Sequence, residues 1–294
     1  MNKLNSFHLK IIALAAMTTD HIAAYGMNIF PFIPYDIFRG IGRIAMPLFM
    51  FVLVMGAKRT QRKAKFLLRL YLANIAVFIL WAPLFLLFKG NFAPMPSVLS
   101  TYVYVLLYGF LIEKIIAELK SKKPFFLIYT AILAAVTFLP RILLNYLRDP
   151  FVQTPTGGVS FSGDGIYYIN AAETFLKTIL PPLDSVDGSV YFVIMGVIWY
   201  FVQNKYVCSG VLVLFGIWGF SGANNDVFDV IGNITGSCYQ HRVFFDEFQS
   251  LMVFAALFMA FYNGERGKPM KRFFYIYYPL HVFIISAVNC LLGA

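Results

Sequence analysis

Asp20 and His21 interrupt an apolar run that extends from about Leu9 to Phe30. Arg39 and Arg43 stand near the start of a second run, and His281 follows Pro279 inside the last one. An ionisable side chain at the centre of a membrane helix costs about 2.5–3.5 kcal/mol, so such residues face protein and default to function. Their types suggest two kinds of chemistry. A histidine out of water tends to stay neutral, and a neutral imidazole can take a proton from an amine or hydroxyl attacking an activated carbonyl. Two arginines four residues apart share one helix face, which suits either a carboxylate partner or an anionic ligand.

Spacing constrains the roles. Adjacent residues on a helix diverge, so Asp20 is badly placed to orient His21 and is expected to pair with Arg43, Arg39 or His281 on a neighbouring helix. The plainer alternative for Asp20 is a structural ion pair, and for His21 an interhelical hydrogen bond. At a rise of about 1.5 Å per residue, His21 lies about 18 Å along its run from Leu9, and His281 about 14 Å in from Arg272. Arg43 enters from the other end and lies about 20 Å from the same face. Three polar groups on three helices thus fall at similar depth. His8 and His241 are interfacial and read as structural. The chain lacks a serine-hydrolase elbow, a zinc-ligand motif and a phosphate-binding loop of the P-loop type, which favours direct transfer from an activated donor. A proton-coupled small-molecule transporter using Asp20, His21 and Arg43 as a relay is the alternative. Internal symmetry between halves would favour it, and none is visible.

The elements that must carry these residues are membrane helices. Of 294 residues 60% are hydrophobic and 13% charged, and mean hydropathy is +0.71, where a soluble domain carries about a quarter charged residues. The apolar runs are about 20 residues long, enough for a hydrocarbon core of about 30 Å, and they lack the alternation of barrel strands. The expected fold is all-α: a polytopic transmembrane helical bundle, residues 1–294 forming one integral-membrane domain. About nine spans are expected, near 9–30, 37–57, 66–88, 97–118, 124–147, 189–203, 207–220, 246–263 and 273–292. The sixth and seventh are short enough to form one re-entrant hairpin. Breaks fall at Pro31 and Pro34, Lys89-Gly90-Asn91, Pro94 and Pro96, Lys122-Lys123-Pro124 and Asn263-Gly264. Residues 148–189 read as an outer loop. Cys208, Cys238 and Cys290 have no metal-ligand spacing and read as small apolar residues.

Orientation follows from the basic residues. With the N-terminus in the cytoplasm, that side receives most of the 24 Lys and Arg residues: Lys3 and Lys10, the run from Lys58 to Arg69, Lys114 to Lys123, Lys205, and Arg266 to Arg272. Most acids fall on the other side. The net charge of +10 therefore reads as topogenic charge and affinity for the lipid bilayer, and not as a nucleic-acid footprint. Within it, Lys58, Arg59, Arg62, Lys63 and Lys65, followed by Arg69, form a cluster that is either topogenic or a docking surface for the phosphates of a cytoplasmic donor.

Three blocks carry a resemblance. Leu9-Lys10-Ile11-Ile12-Ala13 through Asp20-His21-Ile22 is one. Arg39-Gly40-Ile41-Gly42-Arg43-Ile44-Ala45-Met46-Pro47-Leu48-Phe49, with the basic loop and Leu67-Leu68-Arg69-Leu70, is the next. Tyr262-Asn263-Gly264-Glu265-Arg266-Gly267 followed by Phe274-Tyr275-Ile276-Tyr277-Tyr278-Pro279-Leu280-His281 is the third. In this order and spacing, over about the first 90 and last 50 residues, the sequence resembles the TraX family. Met55-Gly56-Ala57 stands where that family often has an acid, and the stretch around Gly157-Gly158 and Gly163-Asp164-Gly165 matches no part of its pattern.

The resemblance implies a bacterial cytoplasmic-membrane acetyltransferase that uses acetyl-CoA as donor and no metal. The acceptor it implies is an amine or hydroxyl at or across the membrane, such as a peptide N-terminus or a glycan. Carried over by position, it implies functional roles for Asp20, His21, Arg39, Arg43, Arg69, Asn263, Arg266 and His281. The combined expectation is a catalytic set of His21, Asp20 and His281. The donor would be held by Arg39, Arg43, Lys58, Arg59, Arg62, Lys63, Arg69, Asn263 and Arg266.

Overall fold

Asn5 starts the first helix. Its side-chain oxygen accepts from the amides of Phe7 and His8, and His8 Nδ1 accepts from the Asn5 amide at 3.4 Å, so the first-turn donors are satisfied reciprocally. His8 is thus a capping residue. The computed structural model of the chain describes residues 3–88, 97–152, 164–220 and 247–293. The expected break at Lys89-Gly90-Asn91, the Gly157-Gly158 and Gly163 stretch, Cys238 and His241 lie outside the described residues. Regular structure in the described residues is helical apart from one parallel bridge between Leu4 and Tyr262.

The helices are α1 (Ser6–Tyr25), α2 (Tyr35–Gly42), α3 (Ala45–Lys58), α4 (Lys63–Leu87), α5 (Val98–Lys120), α6 (Phe126–Val152), α7 (Asp164–Ile179), α8 (Ser189–Val202) and α9 (Lys205–Phe220). After them come α10 (Glu247–Ser250), α11 (Ala255–Ala260) and α12 (Lys271–Gly293), with 3₁₀ turns at Leu183–Ser185 and Leu251–Phe254. Five stretches are long and apolar enough to cross a membrane: Tyr35–Lys58, Lys63–Leu84, Val98–Lys120, Phe126–Tyr146 and Phe273–Gly293. Val190–Val202, Lys205–Trp218 and Leu251–Ala260 are shorter apolar helices. A polytopic helical bundle is what the chain forms. α1 has the length of a span, 20 residues, and carries Lys10, Asp20 and His21.

Three local differences from the sequence expectation have physical causes. The second span is two helices, because the backbone turns at Arg43 and Ile44 between α2 and α3. The eighth is broken into α10, a 3₁₀ turn and α11. The stretch read as an outer loop contains α7, which packs against α4 and α6. Its polarity had hidden it.

The described chain divides into two compact units, Met1–Arg59 with Ile198–Ala294, and Thr60–Val197. In the first, α1 packs against α2, α3 and α12, and α9 packs against α10 and α11. Packing and hydrogen bonds, more than water exclusion, hold helices together in lipid, and small residues allow close approach. Ala13, Ala16 and Ala45 are buried accordingly, with Met17 packed beside them. The α3 side chain Phe51 is fully buried and meets Trp199 and Tyr262 edge-on, at 6.1 and 5.4 Å between ring centroids.

The second unit contains α4 to α7. Its α7 ends in a segment whose backbone carbonyls need donors. Asn74 donates to Thr178 O at 3.0 Å, the Tyr71 hydroxyl to Ile179 O at 2.6 Å, and Tyr104 to Pro181 O at 2.5 Å. Arg141 forms an ion pair with Asp184 and donates to Ser185 Oγ at 2.8 Å.

Candidate functional site

The close approach of α2 to α1 depends on Gly42. A Cβ at this position would lie 2.2 Å from the Cβ of Asp20 and 2.5 Å from its Cγ, far inside van der Waals contact. With no side chain there, the carboxylate lies against the end of α2, and both arginines of that face reach it. Arg39 Nη1 lies 2.8 Å from Asp20 Oδ2, and Arg43 Nη2 lies 3.4 Å from Asp20 Oδ1. Arg43 also donates to Gln249 Oε1 at 3.2 Å and through Nε to the Arg39 carbonyl at 3.3 Å. All three charged side chains are largely covered, with 16–26% of their surface exposed. Asp20 therefore faces the arginines.

His21, one residue on, points elsewhere. Its Nδ1 is 2.7 Å from Nε2 of His281 on α12, and the two rings are nearly parallel, 4.9 Å between centroids. His281 is buried, 7% exposed, and its Nδ1–H donates to the carbonyl of Tyr277 one turn earlier, at 2.8 Å. The Tyr277 ring stacks on the His281 ring at 4.8 Å and 15°. The Tyr277 hydroxyl meets Thr18 Oγ1 on α1 at 2.8 Å, and Thr18 donates to Leu14 O at the same distance. The Tyr25 ring lies tilted beside His21, 5.6 Å between ring centroids.

A second feature of this unit is a cleft of about 360 Å³ lined by Met55, Arg59, Gln203, Lys205, Tyr262, Asn263 and Gly264. Arg59 donates to Gly264 O at 2.8 Å and Lys205 to Tyr262 O at 2.7 Å, so backbone carbonyls hold both cations at the rim. Asn263 donates through Nδ2 to Glu265 and accepts the Glu265 amide. The loop is fixed by the N-terminal segment: Leu4 donates to Phe261 O, Asn263 to Leu4 O and Ser6 to Glu265 O. Gly267, at φ +67°, is required, because a Cβ there would lie 2.5 Å from the Asn5 side-chain oxygen. The cleft sits at the Ser6 end of α1, since Ser6 Oγ meets the Tyr262 hydroxyl at 3.0 Å. Along the helix axis, His21 is about 22 Å farther on.

The residues expected from sequence thus separate. Asp20, His21, Arg39, Arg43 and His281 come together, but as two neighbouring contacts: an acid with two arginines, and a pair of histidines. Arg59 and Asn263 line the cleft, and Arg266 is exposed beside it in sequence. Lys58 instead lies over the rings of Tyr200 and Phe201, at 4.6 and 5.3 Å. Arg62, Lys63 and Arg69 belong to the other unit, where Lys63 forms an ion pair with Glu113. Sequence reasoning missed Gln203 and Lys205 on the cleft, Gln249 on Arg43, and Tyr277 on His281. Lys205 had a signal in the sequence, a cation in the short gap between two apolar helices. Among the described residues, no three His, Cys, Asp or Glu side chains are grouped as metal ligands.

No curated protein sequence matches the chain, and no solved structure does. The family model described as TraX protein matches residues 6–147 and 176–289, which include the histidine pair, the Asp20 cluster and the lining of the cleft. The chain belongs to the TraX family.

Proposed function

We propose that this chain is a membrane-embedded acetyltransferase that moves an acetyl group from cytoplasmic acetyl-CoA to an amine or hydroxyl at or across the bacterial cytoplasmic membrane. The observation that carries the reading, within the TraX family, is the histidine pair on two helices of the same compact unit as a cation-rimmed cleft. Arg59 and Lys205 would hold donor phosphates, since guanidinium and ammonium groups grip phosphate directly. The long thiol arm would run toward His21. His21 accepts the proton of the attacking amine or hydroxyl, a bond forms from that atom to the acetyl carbonyl carbon, and the carbon–sulfur bond breaks. His21 then returns the proton to the departing thiolate sulfur. Asp20, Arg39 and Arg43 would act as a brace between α1 and α2, in place of the donor contact first expected for the arginines. The meeting of the N-terminal segment, Arg59, Lys205 and the 261–267 loop at one end of the unit supports a cytoplasmic N-terminus, because the cations collect there.

The test uses the full-length protein purified in detergent. Acetyl-CoA should raise its melting temperature, and membranes containing it should release free thiol from acetyl-CoA. His21→Ala should lower the turnover by about 10²–10⁴-fold, the usual worth of a positioned base, with the acetyl-CoA stabilisation retained. A protein that neither binds acetyl-CoA nor releases thiol is not this enzyme, and the transporter reading would take its place.

A further inference from the structure

We infer that His281 is a positioning residue that selects the reactive nitrogen of His21, leaving Nε2 of His21 as the proton-accepting atom. The inference rests on the acetyltransferase reading for its chemistry, and on hydrogen-bond donors and acceptors alone for its geometry. A backbone carbonyl has lone pairs and no hydrogen. Tyr277 O, 2.8 Å from His281 Nδ1, therefore requires that this nitrogen carry the hydrogen. The opposite tautomer would set two lone pairs against each other in a buried site. A neutral imidazole has one N–H, so Nε2 of His281 is then an acceptor. The only atom of His21 that meets it is Nδ1, at 2.7 Å, so Nδ1 of His21 is the donor. The bare lone pair of His21 is thereby on Nε2.

Two further contacts keep the chain of bonds in register. Thr18 gives its own hydrogen to Leu14 O, so its oxygen accepts from the Tyr277 hydroxyl. Thr18 and His21 are one turn apart on α1, and Tyr277 and His281 are one turn apart on α12. The two helices are therefore tied at two successive turns, and the Tyr277 ring backs the His281 ring at 4.8 Å. A backbone carbonyl at one end of the relay cannot take up a proton. When His21 is protonated at Nε2 during transfer, its Nδ1–H stays on His281, which stabilises the imidazolium by accepting from it and hands no proton onward. The proton stays on Nε2 until the leaving sulfur collects it. In this scheme His281 touches neither substrate.

The experiment pairs a spectroscopic readout with kinetics. In histidine-¹⁵N-labelled full-length protein, the ring-nitrogen shifts of His21, assigned through the loss of its signals in His21→Ala, should report hydrogen on Nδ1 and none on Nε2. In His281→Gln the amide oxygen can replace Nε2 as acceptor, and thiol release from acetyl-CoA should stay within about tenfold of wild type. In His281→Leu the acceptor is gone: kcat should fall by about 100-fold, within the span of a positioned base, while KM for acetyl-CoA stays within about twofold. The tautomer measurement on the unmodified protein does not depend on either variant folding. Hydrogen on Nε2 of His21 in the wild type overturns the inference, and so does equal kcat in the Gln and Leu variants. An Nδ1-protonated His21 in a protein that never releases thiol would leave the positioning role standing and defeat the acetyltransferase reading instead.

Discussion

Asp20 and His21 are neighbours in sequence that serve different partners, and the physical reason is the turn of about 100° between adjacent helix residues. That divergence was legible in the sequence, which also offered the two arginines, alongside His281, as partners for Asp20; the structure selects the arginines. The meeting of His21 with His281 was not, because similar depth on two helices says nothing about which faces meet. Nor was the dependence on Gly42 legible, although its position between the two arginines was on view. Two expectations follow from these contacts. Asp20→Asn leaves two covered guanidiniums facing a neutral amide, so it should cost of the order of 3 kcal/mol, the lower end for breaking a buried pair. It should lower thermal stability more than it lowers the turnover of the molecules that remain folded. Gly42→Ala forces α2 away from Asp20 and should cost about 1–3 kcal/mol, read as a lower melting temperature. An unchanged melting temperature in either variant would mean that the α1–α2 brace carries no weight.

Among the elements, the long apolar helices could be read from hydropathy with boundaries good to a few residues, as α4, α5 and α12 illustrate. What hydropathy missed was α7, whose sequence mixes Asn170, Glu173, Thr174, Lys177 and Thr178 with apolar residues. Its end is satisfied by Tyr71, Asn74 and Tyr104 from α4 and α5, partners too distant in sequence to suggest themselves. The basic loop between α3 and α4 shows the same limit. A cluster of cations reads as one surface, yet Lys63 is engaged by Glu113 fifty positions away, whereas Arg59 joins Lys205 on the cleft. The donor expectation can therefore be sharpened. Arg59→Gln with Lys205→Gln should raise the KM for acetyl-CoA by about tenfold, in line with the worth of a charged hydrogen bond. It should scarcely change the KM for acetyl-pantetheine, which has far less phosphate. Lys63→Gln should leave both values alone and shift stability by about 1 kcal/mol or less, as for a partly solvated pair. If Lys63→Gln weakens the donor as much as the double variant does, the phosphate contact has been placed on the wrong cations.

At the scale of the whole molecule, the orientation deduced from the positive-inside pattern gives a direct test. Reporter fusions after Arg69 and Lys123 should read cytoplasmic, and fusions at Gly163 should read external; inverted signals would place the cleft on the wrong side of the membrane for a cytoplasmic donor. The order of the chain has a further consequence, for biogenesis. The unit that holds the histidine pair is discontinuous, its first 59 residues separated from the rest by the whole of the other unit. As the chain leaves the ribosome, α1 reaches the bilayer early, while the loop that clasps Leu4 and the helix that carries His281 follow some 250 residues later. A translocating ribosome adds about 5–20 residues per second, so α1 waits at least about ten seconds with Asp20 and His21 lacking the last helix. Arg39 and Arg43 arrive within moments and can neutralise the acid, but the hydrogen-bond partner of His21 on the last helix arrives only when synthesis is almost finished. A nascent chain cut short before α12 would therefore hold His21 without its His281 partner, and the histidine pair is completed only when the last helix docks on the first.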